Sequence, residues 1–568
     1  MKNDKNQIDV QPRVPSSEPR SRASLLVLFL LMAGLLQTAA ASTSYKVQQI
    51  NPPGSISTYA VGINKASTVV GNFTTSTGVV HGYKFATGKY TTITFPHSNK
   101  FTRANGINDS NLIVGDFFGT DNFYHGFTFS AGKYTQYDVQ KGVVSTSIFA
   151  VNNNGDFVGA AGAGGPNQGF INIAGAVTEF YGSGTDNTFA LGVNNSDEVV
   201  GQYYDSSNNS HGFHRSSTGV ITEIIYPGAV QTACVGINDS GVITGWYINS
   251  SGQSYGFTDT AGVFQSSDFL ENSGINNNGA FVSYYIGPGA TATQNYGLLV
   301  TPHTMKKALS TVTVSKALST SIYGVNNTGA MTGWYENSSS VIHGLLLVGN
   351  TVTNLDDPSA QAGTTLGQGI NSTNEVVGAY TNTSNVETGF LYSGGTYSDI
   401  VPPGSTYTTA QTINDSGVIA GAYFDSSNVE HGFTYNGSTY TTIDVPGAVS
   451  SFAWGINATS EVTFSWVNSY GLTEGSLYNG STFTTINVPG ALDSFAHAIN
   501  KSGAVAFSWL DFYGNYHGAL LSGGSYYVFD DPNGTSTRAD GINDNNLMVG
   551  RFLQAGSTTL YDGFKGTN

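Results

Sequence analysis

Six histidines stand directly before a glycine in the same local setting: His81, His125, His211, His343, His431 and His517. Imidazole recurring at one position is the side chain that binds zinc or carries protons. In the matching triplets, however, Gln168, Tyr255, Tyr296, Thr388, Glu474 and Asp562 take that place. A metal ring does not tolerate Tyr and Thr, whereas a hydrogen bond between neighbouring units does, so the position reads as structural. Asparagine recurs in a Gly-Ile-Asn-like tripeptide at 64, 108, 152, 194, 238, 276, 326, 371, 414, 457, 500 and 543. Twelve amides could ring a channel; the simpler expectation is that each bonds the backbone of the turn that follows it. The acidic turns at Asp109, Asp239, Asp415 and Asp544, and at Asp205 and Asp425, lack the clustered acids and distal Glu of a calcium loop. Cys234 is the only cysteine and reads as a small buried apolar residue. No nucleophile elbow, phosphate-cradling loop, zinc helix or Cys-x-x-Cys is present, so neither a metal nor a cofactor is expected.

The positions that break the pattern are more informative. A glycine that recurs in a Val-Ile-Ala-Gly-Ala-Tyr-Phe-like run (Gly71, Gly115, Gly421) is replaced by Phe464 and Phe507 in two consecutive units. Both then read Phe-Ser-Trp, ending in Trp466 and Trp509, with Trp454 nearby. One position after that glycine, Trp246, Tyr284 and Trp334 occur in successive units. Flat rings stack on sugars and anchor protein interfaces, which makes these eight aromatics the candidate ligand-binding residues. The competing explanations are compensated core packing for the first group and a buried seam for the second. Asp493, Asp511, Glu461 and Glu474 are the acids an enzyme would draw on here, yet their spacing selects no pair.

These residues are positioned by a repeat. The asparagines are spaced 44, 44, 42, 44, 38, 50, 45, 43, 43, 43 and 43 apart, and the glycine of the His-Gly-Phe-like triplet also recurs twelve times. Within one unit, Thr408 to Asn414, Val418 to Phe424, His431 to Tyr435 and Tyr440 to Val445 are β-rich runs. They are separated by Asp-Ser-Gly, Asp-Ser-Ser-Asn and Asn-Gly-Ser turns. Four short strands in about 43 residues, apolar on both faces, fit a β-propeller blade. The expected fold is therefore all-β, with twelve blades. The irregular steps of 38 and 50 fall together, which divides the chain into two six-bladed propellers, 42–301 and 322–568, with an irregular junction at 302–321; one large closed ring is the alternative. The last unit stops where others continue to a fourth strand, and Tyr45 to Gly54 matches that missing strand, which fits a ring sealed by pairing the N- and C-terminal strands and equally fits blades that begin with the Tyr45 strand.

The pattern Gly-Ile-Asn-Asp-Ser-Gly-Val-Ile, His-Gly-Phe and Tyr-Thr-Thr-Ile-Asp-Val-Pro-Gly-Ala resembles the bacterial extracellular repeats called the HAF family, over residues 45–568. That resemblance implies export and a β-repeat fold, and it brings neither catalytic residues nor a ligand. Independently, Leu25 to Leu36 is an apolar run of 12 preceded by Arg20 and Arg22 and followed by Ala39-Ala40-Ala41. Residues 1–41 thus read as a signal peptide, placing the protein in the secreted, cell-surface or periplasmic space with no other membrane segment. Removing the five basic and three acidic residues of that segment leaves 16 basic against 34 acidic, a net charge of −18. A nucleic-acid partner is excluded by that sign. The expected function is non-enzymatic binding or scaffolding toward a glycan or protein; a glycan-active hydrolase or lyase is the rival reading.

Overall fold

Each recurring asparagine folds its side chain over the turn that follows. In the Asn414 unit, Oδ1 accepts from the backbone N–H groups of Ser416 and Val418, both at 3.0 Å. The same pair of bonds forms at Asn64, to Ala66 and Thr68. The turn needs a left-handed residue three positions on, and it has one every time: Gly417 at φ +76° here, Ser67, Asn111, Asp197, Asn374, Ser460 or Asn546 elsewhere, and Gly in the rest. This local bonding is the reading made from the sequence. Its unforeseen part is the amide nitrogen, which in eleven units donates to the backbone carbonyl of the next unit's asparagine, while that of Asn371 donates to Glu375 Oε2.

The structure, a computed structural model, describes residues 44–96, 98–140, 145–162, 166–182, 187–267, 269–286 and 294–568. The segment read as a signal peptide lies outside these residues. Among them there are strands and turns only, and no helix long and apolar enough to cross a membrane. The strands form antiparallel sheets: ten of four strands and one of eight. The fold is an all-β propeller, with four-stranded sheets following one another and both faces of each buried against neighbours. Consecutive strands of a unit pair in order, as Tyr407–Ile413, Ile419–Phe424, Glu430–Tyr435 and Tyr440–Ile443 do. The first strand of every unit is bulged at one place, between Ala60 and Gly62 or Ala410 and Thr412 for example, which sharpens its twist where strands crowd together.

In the first half, the amide chain runs from Asn64 to Asn108, Asn152, Asn194, Asn238 and Asn276, and Asn276 donates back to the Asn64 carbonyl at 2.9 Å. In the second, Asn543 returns to the Asn326 carbonyl at 2.8 Å. Close approaches of glycine agree: a Cβ on Gly274 would sit 3.2 Å from Gly62 Cα, and one on Gly541 3.3 Å from Gly324 Cα.

The chain ends depart from the sealed-ring reading. The N-terminal strand Ser44–Ile50 does not pair with the C-terminal strand Tyr561–Thr567. It lies along Asn295–His303, from Ser44 opposite His303 to Ile50 opposite Gly297. The C-terminal strand takes Lys307–Val312 as its fourth partner instead. Segment 302–321, read as an irregular junction, therefore contains a sheet strand. The exchange arises because the chain leaves the Asn276 sheet one strand short and uses the next strand elsewhere. Ser44–Ile50 also pairs along its other edge with Ser525–Phe529, producing the eight-stranded sheet. Val47, Phe269 and Leu298 share one core cluster with Val488, Ala491 and Trp509, and the Tyr513 ring stacks on Tyr255 at 3.9 Å, so the two halves are packed together.

Core packing also corrects part of the candidate list. Across the sheet Gly421 faces Phe433, and a Cβ on this glycine would lie 3.0 Å from the ring. In the two exceptional units Phe464 faces Ser476 and Phe507 faces Ala519. The ring has moved from the third strand to the second and fills the same space. Phe464, Phe507 and Trp509 are each 0% exposed, so they are core residues and not ligand contacts. Removing the ring by Phe464→Gly will destabilise the chain by about 3–5 kcal/mol, the usual scale for emptying a buried aromatic site. Adding Ser476→Phe will recover most of that loss. Thermal unfolding of the single and double variants checks this; a double variant no more stable than Phe464→Gly alone would refute the exchange.

Candidate functional site

The residue three positions before each marker asparagine projects from the innermost strand beside its bulge. In the first half these are Val61, Asn105, Phe149, Leu191, Val235 and Ser273. The first five line a cavity of about 120 Å³. That is well below the roughly 300–1,000 Å³ of small-molecule pockets. In the second half the same position carries Tyr323, Gln368, Gln411, Trp454, His497 and Asp540. A mostly apolar set in one half becomes a polar and aromatic set in the other.

Four of these six are linked by side-chain contacts. Trp454 packs edge-on against His497 at 4.5 Å, and His497 Nε2 lies 3.9 Å from Asp540 Oδ1. Arg551, on the neighbouring strand, brings Nη1 to 3.4 Å from Asp540 Oδ2 and its guanidinium to 4.6 Å from the Tyr323 ring. Trp334 donates from Nε1 to the Tyr323 hydroxyl at 2.9 Å. Arg538 stands opposite Arg551 in register and lays its guanidinium 3.5 Å from the Tyr516 ring centre.

Two guanidinium groups here face a single carboxylate. Burial pushes the Asp540 carboxyl up, against the pull of Arg551 and Arg538. Burial and the same two arginines hold the His497 imidazole well below its ordinary value, so it is neutral. Burial, then Arg551, also lowers the Arg538 guanidinium. Among the described residues, Arg538 Nε, Arg551 Nη1, His497 Nε2, Asp540 Oδ2 and Trp454 Nε1 are buried with no hydrogen-bond partner. The 3.4 Å approach of Arg551 to Asp540 is a charge contact without hydrogen-bond geometry. Leaving a buried polar atom unpaired costs about 1–3 kcal/mol, so five in one cluster call for an explanation. The cluster is not sealed, because Tyr323, Trp454, Tyr516, Arg538 and Tyr561 keep intermediate exposure.

A similar set in the first half is saturated. Arg103 grips Asp116 through Nε at 2.9 Å and Nη2 at 2.5 Å. Asn105 and Ser147 donate to the same carboxylate at 3.3 and 2.7 Å. Nothing in that network is left to offer a ligand.

The remaining candidates separate clearly. Trp334 and Trp454 belong to the charged cluster. Trp466 is half-buried, donates to Ser476 Oγ at 2.9 Å and packs on the core. Trp246 and Tyr284 lie in the first half, where Tyr284 meets the Tyr59 ring at 5.0 Å; neither is part of the shared core between halves. Of the acids, Asp493 accepts from the Thr473 N–H, Asp511 faces His517, Glu461 accepts from Asn457, and Glu474 from Asn468. They are spent locally and do not converge. Sequence reading missed Arg538, Asp540, Arg551, His497 and Tyr323. The available signal was the position before the marker, where Asp-Gly-Ile-Asn and His-Ala-Ile-Asn put an acid and an imidazole into a column of aliphatic, aromatic, amide and hydroxyl side chains.

The recurring histidines were expected to bond between units; they bond within one. His125 sits between Asp121 and Asp138 at 3.0 and 2.7 Å. His431 faces Asp425 at 3.6 Å and Asp444 at 2.8 Å. Each clamp ties the turn after the second strand to the end of the fourth. Burial alone would lower the His125 and His431 imidazoles, but the hydrogen bonds and charges of their acids outweigh it and raise both. Asp205 and Asp425 accept from their own turns, from Asn209 and Val429 first, and are held low, Asp205 at about 2. Raised histidines stabilise fully below 6.5 and lose that contribution as pH rises through their folded values; lowered aspartates stabilise fully above 3.8 and lose it as pH falls through theirs. Burial pushes Glu430 up to about 7, which adds to the loss on the alkaline side. The melting temperature will therefore peak between those limits, in mildly acidic solution. Replacing both clamps, His125→Gln with His431→Gln, will flatten the alkaline decline in a thermal-unfolding series over pH; an unchanged profile would refute the clamps' role.

No family model matches the chain, and no curated protein matches it either. Among solved structures, a gluconolactonase from Xanthomonas campestris is similar at 10% identity, over 47% of this chain and 99% of that one, with a TM-score of 0.30. A lectin from Burkholderia pseudomallei is similar at 9% identity, over 59% and 94%, with a TM-score of 0.25. The β-propeller domain of a protease from Pyrococcus furiosus is similar at 9% identity, over 53% and 98%, with a TM-score of 0.22.

Proposed function

We propose that the chain is an exported, non-enzymatic binding protein built as two six-bladed propellers, which seats a saccharide at the centre of the second. The two returning amide circuits, Asn276 to Asn64 and Asn543 to Asn326, support two separate rings. On this reading the eight-stranded sheet is two blades joined edge to edge by Ser44–Ile50. Residues 1–41 direct export, in keeping with the resemblance to extracellular HAF repeats.

The observation that carries the binding assignment is the set of unpaired buried polar atoms at Arg538, Arg551, His497, Asp540 and Trp454, bordered by half-open rings. Aromatic faces beside fixed, unsatisfied donors suit a saccharide, which presents an apolar ring face and polar edges to the same surface. Hydrolysis of a glycosidic bond needs a second carboxyl about 5–9.5 Å from the first. Asp540 is the only carboxylate in the cluster, so retention of the sugar fits better than cleavage. Glycan-array binding of the purified chain will show selective retention, and Trp454→Ala will weaken it at least about tenfold, the scale of losing one stacked, hydrogen-bonded ring. Unaltered binding by that variant, with unaltered thermal unfolding, would reject the site.

A further inference from the structure

We infer that the ligand carries a carboxylate, as a uronic acid does, and that Arg538 and Arg551 read it; this rests on the saccharide reading above. Whole-chain charge gives no reason to expect an anion, since the net is −16. The cluster is a local exception, with two guanidinium groups, one carboxylate and a neutral imidazole. Arg551 has Asp540 as its counter-charge. Arg538 shares that carboxylate at longer range and has a tyrosine face and an unpaired Nε besides. Two half-buried cations sharing one carboxylate leave an excess positive charge, and a bound carboxylate would remove that imbalance.

The unpaired atoms also describe the ligand's pattern. Arg538 Nε, Arg551 Nη1 and Trp454 Nε1 are donors, His497 Nε2 is a donor or acceptor by tautomer, and Asp540 Oδ2 is the one certain acceptor. The complement is a group rich in acceptors with a hydroxyl beside it. A planar carboxylate matches the guanidinium fork in two parallel bonds, which a neutral sugar edge cannot do. A uronate ring offers the carboxylate, the neighbouring hydroxyl and an apolar face for Trp454 or Tyr516 in one residue. In the first half, Asp116 already occupies the place of such an anion on Arg103, which leaves that half without the same capacity.

The test uses the full purified chain and needs no variant in its first arm. Titration calorimetry compares oligogalacturonate or oligoglucuronate with the same oligosaccharides as methyl esters, which keep ring and hydroxyls but lose the charge. The acids are expected to bind at least about tenfold more tightly than the esters, with affinity falling as salt rises. Arg538→Gln should abolish that preference while leaving thermal unfolding unchanged or improved, since it removes one of two cations that share a single carboxylate. Equal binding of acid and ester overturns this inference and leaves the saccharide reading standing. Preferential binding of sulfated over carboxylated oligosaccharides overturns the carboxylate assignment. Failure of every saccharide on the array to bind overturns the underlying reading as well.

Discussion

One side-chain amide, repeated in every unit, bears most of the architecture. The oxygen of the marker asparagine organises the turn after its own strand, and its nitrogen reaches the backbone of the unit beside it. The group that shapes a hairpin thus also sets the spacing between sheets. Because the amide is rigid and planar, an error in the turn would misplace the donor, so local and long-range structure are satisfied together or not at all. The bulges and crowded glycines of the inner strands follow from bringing these strand ends so close.

The parts of this fold that were legible in the sequence are those written within a single unit. Gly-Ile-Asn, the left-handed residue three places on and the His-Gly-Phe triplet each sit inside about ten residues, and they announced strands and turns correctly. Relations that depend on register were not legible. Phe464 could be read as a ligand contact or as compensated core, and the choice was hidden because Ser476, the residue that makes room for it, lies on another strand. Arg538, Arg551, Asp540 and His497 are unremarkable one at a time and become a site only when three strands are laid side by side. The exchange of fourth strands was hidden for a similar reason: 302–321 read as an irregular junction, and sequence pattern does not say which sheet Ser44–Ile50 or Lys307–Val312 completes.

The two halves use similar ingredients to opposite effect. Arg103 and Asp116 close on each other with Asn105 and Ser147, and both carboxylate oxygens are held by hydrogen bonds. Arg538 and Arg551 share Asp540 imperfectly and leave buried donors without hydrogen-bond partners. A saturated polar network adds rigidity, whereas an incomplete one holds stability in reserve for something else to supply. The scaffold is repetitive enough that this difference rests on a handful of side chains.

Ser44–Ile50 is hydrogen-bonded on both edges, to strands that are synthesised much later. Ser44 bonds the His303 carbonyl across 259 residues, and its other edge waits for Ser525–Phe529. Contacts that close such long loops form slowly, because most of the chain must already be ordered before they can be made. Ser44–Ile50 is consequently among the last of the described strands to reach its place. A growing chain would keep one edge of Ser44–Ile50 open to chaperones and proteases until Ser525–Phe529 has been made, and removing that later strand would leave the edge bare.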